Sequence, residues 1–545
     1  MHLRLSLAFA ALGLAAVVLG GPARGEESPV AAEIHALVTA PGGDSAPTPL
    51  QLFYEMRAFA PVWVDHPQRL AALDAVLADA PSNGIAFRLP KRLLPSGGAD
   101  DAARDVALTR LALDYATALA VGRVRPDQVE ADWAMPEASF DAAAGLDAAL
   151  KGDLARWYAG LAPNHPAYRR LVAALAQYRA IAAAGGWVQV PRGAALKLGM
   201  IDPRVRTLRL RLAAEGDLPA ALAPAEGAAL VAGGTNPVHQ IAATEPAPAA
   251  DPAAPADPAS IYDSAVEQAV RHFQARHGID VDGAVGPRTL AAMNVTVRAR
   301  IAQIELNLER WRAMPHDLGS SFMLVNVPAE QLTVVEHDVP VIGMKVVVGD
   351  PAHPTPVVRA FMVAVTLNPT WTIPASIVKN ELVPKTKRDP GYLKKNDIVF
   401  TPGRGWQQMP GPKNPLGRIK FESPNRFDVY LHDTPSRIAF DRYFRAQSHG
   451  CVRLERADEL AGFVLRDTSW DQPALQQAIA TGQNRRIDLK HRWRIYLVYA
   501  TSFVDDDGTV EFRDDLYGRD ARLRAALAAQ GGEHEPQKQA RLGGS

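Results

Sequence analysis

The apolar residues of this chain change period near Gly319, and any fold must accommodate that change. From about Pro49 to Tyr178 they recur at helical spacing, as in Leu70, Leu73 and Leu77 and again in Leu108, Leu111, Leu113 and Tyr115. Alanine is abundant there and β-branched residues are few, which favours helices; Pro61, Pro81, Pro90, Pro95, Pro126 and Pro136 punctuate them. Beyond Gly319, the runs Phe322–Val327, Gln331–Glu336, Val339–Val348 and Val358–Leu367 are β-rich and broken by Pro, Gly and Asp. Further strands are expected at Asp428–Leu431 and Ile495–Ala500. The chain therefore reads as an α+β multidomain protein, with a helical scaffold over 48–190 and a mainly β domain over 319–512. Its 545 residues imply two to four domains, and a hydrophobic content of 48% is ample for packed cores. Trp63, Trp133 and Trp157 are expected as core anchors of a helical region that holds no catalytic constellation.

Between the two regions, residues 217–258 are dominated by Ala and Pro, a composition that cannot bury enough apolar surface to order itself. Helical pieces flank this expected mobile insertion. Leu208, Leu210 and Leu212 lie upstream; Val266, Ala269, Val270 and Phe273 share a face downstream. A Gly278–Gly283 turn follows, then a short helix opened by Gly286-Pro287, where the missing proline N–H is harmless. Ile301, Ile304, Leu308 and Trp311 mark a connector helix within 297–318, and residues 531–545 read as a loose tail. At the other end, His2 and Arg4, the apolar stretch Leu5–Leu19 and Ala23-Arg24-Gly25 read as a signal peptide over 1–25, so the mature protein is expected to be soluble and exported. The 59 basic and 59 acidic residues balance, giving no electrostatic case for nucleic acid or anionic membrane.

The only cysteine, Cys451, lies in Ser448-His449-Gly450-Cys451-Val452-Arg453, and His432 lies nineteen positions upstream in Tyr430-Leu431-His432-Asp433-Thr434-Pro435. A lone cysteine in an exported protein cannot form an internal disulfide, which favours a chemical role over a small buried hydrophobe. A thiolate is a strong nucleophile, a nearby histidine can take its proton, and the preceding glycine permits close backbone approach to a developing oxyanion. The helical pattern Leu460, Phe463, Val464 follows, so the thiol is expected before a helix whose dipole lowers its pKa. Asp433 is expected to fix the imidazole tautomer through its carbonyl or side chain, or else to cap a turn. A zinc site from His432, Asp433, His449 and Cys451 would lack closely paired ligands, and no metal or other cofactor is expected.

Two resemblances sharpen this reading. Residues 269–294 resemble the peptidoglycan-binding module through Phe273-Gln274, Gly278, Asp282-Gly283 and Gly286-Pro287-Arg288-Thr289-Leu290; with the preceding helix this implies a small three-helix domain over 193–296, interrupted by the Ala/Pro run. His432, fifteen residues, then Ser448-His449-Gly450-Cys451 resembles the motif of YkuD-type L,D-transpeptidases, and the domain set resembles the YcbB-like subfamily. That resemblance implies a periplasmic enzyme of peptidoglycan biosynthesis, acting in cell wall biogenesis and cell shape. It would take a donor tetrapeptide stem, expel D-Ala, hold the acyl group as a thioester and pass it to an acceptor stem as a 3→3 cross-link. It places the nucleophile at Cys451, the proton donor/acceptor at His432, an oxyanion pocket at His449 and Gly450, and substrate contacts at Ser448, Arg453, Tyr430 and Trp371. It also implies a capping insertion over about 368–421, a long loop rich in Pro, Gly and Lys, in which Arg418 or Lys420 could meet a stem carboxylate.

Cell-wall synthases are candidate partners; no membrane span is expected after the signal peptide. Two alternatives remain open on sequence. The same Cys/His site with water as acceptor is an L,D-carboxypeptidase, and a chain without catalysis would be a peptidoglycan-binding scaffold.

Overall fold

A computed structural model describes residues 28–39, 46–93, 100–137, 139–224 and 257–531. The expected signal peptide, Pro95, most of the Ala/Pro run and the tail from 532 onward lie outside the described residues. The chain divides into two compact units, one formed by 1–74, 89–114 and 141–154, the other by 75–88, 115–140 and 155–545. As the change in period predicts, the N-terminal region is helical and the C-terminal domain is sheet-rich.

The first unit is held by short capped helices. Pro49–Glu55 begins with a capping box, Thr48 accepting from Gln51 N while Gln51 bonds back to Thr48 N. At its centre Asp105 is fully buried, accepting from the backbone N–H groups of Val62, Trp63 and Val64 and from the Tyr54 hydroxyl at 2.7 Å. A buried carboxylate satisfied by so many donors fixes the chain around it.

In the second unit a small helical module is built by the helices Arg204–Ala214, Ser264–Arg276 and Pro287–Met293, which pack around Leu208, Leu212, Val266, Val270 and Phe273. The signature residues build this module. Gln274 is buried, donating to Asp282 and Thr289 and accepting from Gly283 N at 2.8 Å. The expectation of mobility from 217 onward is corrected at its edge: Leu218 is buried in the module core and Asp217 is paired with Arg276, so ordered structure continues to 224. The connector helix spans Val297–Arg312 behind a Thr296 cap.

The catalytic-type sheet runs Val357–Leu367, Arg485–Val498, Phe322–Asn326, Gln331–Glu336, Val339–Gly349, Val452–Leu454, Leu431–His432 and Ile419–Glu422, and the last pairs back onto the first through Val365 and Phe421. The ring encloses an apolar core that includes Met323, Val325, Leu332, Val346, Leu431 and Val452. Trp133 is buried against this core, in a two-residue strand parallel to Val357-Val358, rather than among helices. Neither that strand nor the helix Arg519–Gly531 left a periodic signal strong enough to be anticipated.

The insertion at 368–421 is not a plain loop. It folds helical turns from Ala375 to Arg388 and at Tyr392–Lys395, plus a three-stranded sheet of Trp371–Thr372, Gly405–Gln408 and Ile398–Thr401. Its own small core gathers Ile373, Leu382 and Ile398 with Trp371, Tyr392 and Trp406.

Candidate active site

The strands Leu431–His432 and Val452–Leu454 lie side by side in parallel, with Leu431 opposite Val452 and His432 opposite Arg453. One residue earlier, Val452 N donates to Tyr430 O at 3.0 Å, which carries the register back to Tyr430 and Cys451. Side chains alternate along a strand. Leu431 and Val452 enter the core, so Tyr430, His432, Cys451 and Arg453 share the opposite face. The sequence pattern that separates His432 from Cys451 by nineteen positions is closed by this one strand pair.

The nucleophile's turn is built around Ser448 and Gly450. Ser448 Oγ accepts from Gly450 N at 3.1 Å and donates to Cys451 O at 2.6 Å. Gly450 has φ +106°, where a side chain is strained. Its carbonyl accepts from the buried Thr355 hydroxyl at 2.8 Å, which itself accepts from Gly349 N. The Gly450 N–H is thus occupied by Ser448, and the Cys451 N–H has no hydrogen-bond partner among the described residues.

Cys451 is half-buried, and its Sγ lies 3.8 Å from Asp428 O. Burial pushes the thiol up; its contacts with Tyr430, including the hydroxyl, and the Lys420 and Arg453 cations only partly offset that. A strand, not a helix, follows the cysteine: the helix Ala457–Leu465 starts six residues later. The expected dipole assistance is therefore absent, because the dipole acts only within the first turn.

His432 is 4% exposed. Burial, with Arg453 beside it, pushes the imidazole down to about 3, so it is neutral at physiological pH. Nδ1 lies 2.5 Å from the Asp433 carbonyl, an acceptor, so Nδ1 carries the hydrogen and Nε2 the lone pair. The Asp433 side chain is engaged elsewhere, by Arg418 N at 2.8 Å and Arg437 Nη2 at 2.5 Å; the tautomer is set by its carbonyl. Among the described residues no hydrogen bond joins the imidazole to the thiol.

The other expected site residues divide. Tyr430 meets Cys451 through its hydroxyl, and its ring lies 5.8 Å from that of His432. Arg453 is half-buried beside the thiol, with Nε lacking any partner among the described residues. His449 points to the insertion instead, its Nε2 2.9 Å from Glu381 Oε1 and its ring 4.7 Å from that of His353. Trp371 packs in the insertion's own core. Arg418 pairs with Asp458, and Lys420 with Glu422 while lying 4.2 Å over the Tyr430 ring. Thr355 and Glu381 escaped sequence reasoning, since nothing local ties either to a turn far along the chain. No group of three or more metal-ligating side chains occurs among the described residues, and none of their helices is long and apolar enough to cross a membrane.

Residues 320–476 match the family model described as the YkuD L,D-transpeptidase catalytic domain. Residues 48–175 match a scaffold domain, and 251–293 a "Putative peptidoglycan binding domain". A Haemophilus influenzae protein named "Putative L,D-transpeptidase" is 27% identical over 243 residues, 41% of this chain and 49% of that protein. The chain thus spans about half the length of that relative. Among solved structures, L,D-transpeptidase 3 from Mycobacterium tuberculosis is 15% identical, with 33% of this chain and 61% of that one covered at a TM-score of 0.19. The L,D-transpeptidase from Xylanimonas cellulosilytica is 17% identical, with 56% and 99% covered at 0.19. Overlaps that low carry no argument about this site.

Proposed function

We propose that this chain, which carries a YkuD-type L,D-transpeptidase catalytic domain over residues 320–476, forms 3→3 cross-links between peptidoglycan stem peptides through a thioester on Cys451. The observation that carries the reading is the shared sheet face: a half-buried thiol and a buried neutral imidazole on neighbouring parallel strands, with the imidazole's tautomer fixed.

The chemistry follows from that arrangement. Both groups are neutral at rest, so the thiol proton moves to His432 Nε2 as sulfur attacks the carbonyl of the third stem residue. The Cys451 N–H is the donor available to the oxyanion. Collapse breaks the bond to D-Ala, whose departing amine takes the proton from His432, leaving an acyl thioester. An acceptor amine then attacks, loses a proton to His432, and the thiolate leaves and is reprotonated. Arg453, with spare donors beside the sulfur, and Lys420 offer charge to a stem carboxylate. Water is the competing acceptor, and the insertion joined to His449 through Glu381 would exclude it as a cap. Action on peptidoglycan places the enzyme in the periplasm after export, within reach of cell-wall synthases.

Incubation with a disaccharide-tetrapeptide and mass analysis of the products tests this. A cross-linked dimer that has lost one D-Ala is expected. Tripeptide alone would make the enzyme an L,D-carboxypeptidase, and neither product would overturn the reading.

A further inference from the structure

A second concavity lies within the same unit, away from the thiol. It is a cleft of about 420 Å³, within the range of small-ligand sites. One wall is the turn and third helix of the small module, from Ala275 to Arg288; the other is the segment Asp441–Arg445 with Glu330 below. The floor is pre-built. Arg513 donates to Arg276 O at 3.1 Å, and Gly278, at φ +56°, approaches so closely that a Cβ would meet Arg513 and Tyr443. Glu330 is 6% exposed and held at φ +52°, unusual for a side chain of its size; its carboxylate accepts from Arg445 N at 2.9 Å.

The lining chemistry is selective. Phe444 is 47% exposed, and Tyr443 has the Arg288 guanidinium 5.1 Å from its ring centroid. Carboxylates and cations both line the cleft beside these aromatics: Asp280, Glu330 and Asp441 with Arg288, Arg442 and Arg445. A polyanion would meet those carboxylates, and an apolar ligand would strand the charges. A neutral polyhydroxylated ring with amide substituents satisfies both, offering apolar faces to the aromatics and donors and acceptors to the planar charged groups. The segment Asp441–Arg445 runs directly into the strand Ala446–Ser448, and Cys451 follows six positions after Arg445.

We infer that this composite cleft is a subsite for the N-acetylated amino-sugar backbone of peptidoglycan, shared between the small module and the sheet domain, and that it presents the attached stem to Cys451. This rests on the proposed transpeptidase reading and adds a sugar contact to it. The module alone supplies only one wall, so both halves are needed for binding.

The test compares two donors with the full-length protein: a tetrapeptide carried on its disaccharide, and the free tetrapeptide. Arg288→Ala and, separately, Phe444→Ala should lower kcat/KM for D-Ala release from the sugar-linked donor at least five-fold, leaving the free peptide within two-fold and the melting temperature unchanged. Arg288 lies in the module and touches nothing at the thiol, so it guards against a distorted loop in the Phe444 variant. Equal losses on both donors, or no loss on either, would overturn the subsite. If the wild type releases no D-Ala from either donor, the transpeptidase reading fails by itself. The subsite is then judged by chitotetraose titration followed by NMR: binding that Arg288→Ala weakens at least five-fold upholds it, and absence of binding overturns it.

Discussion

Two buried polar regions of the second unit are handled in opposite ways. At the root of the small module, Glu215 is fully buried between Arg276, at 3.1 Å, and Arg211, and it also accepts from the Tyr178 hydroxyl at 2.6 Å. Burial opposes its charge, yet the two guanidiniums hold the carboxyl well below the usual range. Asp217 answers Arg276 again at 2.5 Å, Arg211 Nε reaches Met293 O at 2.7 Å, and Trp187 covers its guanidinium at 4.1 Å. Charge there is neutralised from every side. On the Tyr430–Cys451 face the reverse holds: the imidazole meets only backbone carbonyls, those of Asp433 and Leu416, the thiol is kept protonated, and Arg453 has no carboxylate partner among the described residues. The difference teaches that the charges holding the module root are matched by opposite charge, whereas Arg453 on the thiol face has no carboxylate opposite it among the described residues.

The comparison breaks first at the sulfur. Cys451→Ala should reduce D-Ala release by at least about a thousandfold, as loss of a nucleophile does. Its thermal midpoint should stay within about two degrees, because among the described residues Sγ makes only a long contact to Asp428 O and one with the Tyr430 hydroxyl. A large fall in stability would mean the thiol belongs with the structural groups. The paired region predicts the converse. Glu215→Ala leaves two buried guanidiniums without their shared carboxylate and should destabilise the protein by about 3–5 kcal/mol in urea unfolding. A loss below about 1 kcal/mol would remove the contrast.

Titration gives a smaller effect with a definite sign. The folded His432 imidazole sits at about 3, below the ordinary 6.5 of an unfolded chain. Between those values the unfolded state binds a proton that the folded state refuses. Stability therefore falls as pH drops from about 6.5 toward 3, by up to about 1.4 kcal/mol per pH unit for this group. Denaturant midpoints at pH 7 and pH 5 should converge less in the wild type than in His432→Gln, which lacks the proton site; an identical acid slope in both would place the histidine outside the buried neutral class. The mildest perturbation is Glu381→Gln. Its bond to His449 is partly exposed and worth no more than about 1 kcal/mol, so tripeptide by-product should rise a few-fold over dimer while the fold is untouched. An unchanged ratio would separate the insertion from water exclusion.

Much of this contrast could be seen in the sequence, and the remainder could not for identifiable reasons. The change of period near Gly319 and the module signature report local spacing, and local spacing is what forms helices and strands. The Ser448–Arg453 run and His432 are visible as residue types at offsets, and the strand pair brings His432, Cys451 and Arg453 onto one face. The helix marked by Leu460, Phe463 and Val464 lies where its spacing puts it, but its dipole does not reach the thiol, because the strand Val452–Leu454, too short to register in sequence, comes between. The insertion looked like loop for a similar reason: its strands are two to four residues and its core is assembled from scattered Trp371, Ile373, Ile398 and Trp406. Thr355 is silent in sequence because its value lies in one bond to a carbonyl 95 positions away. Neutral buried histidine is not diagnostic by itself, either. His277 is also pushed well down by burial, yet it stacks on Phe273 at 3.8 Å in the module core. What separates His432 is the thiol on its own sheet face.

The most direct test catches the acyl group on sulfur. Intact-protein mass spectrometry, after a short incubation of the wild type with disaccharide-tetrapeptide and acid quench, should show one added mass equal to the donor less D-Ala. That mass should map to the Cys451 peptide, be released by hydroxylamine, and be missing from Cys451→Ala. An adduct retaining D-Ala, one carried on another residue, or turnover with no sulfur-bound species would contradict the account.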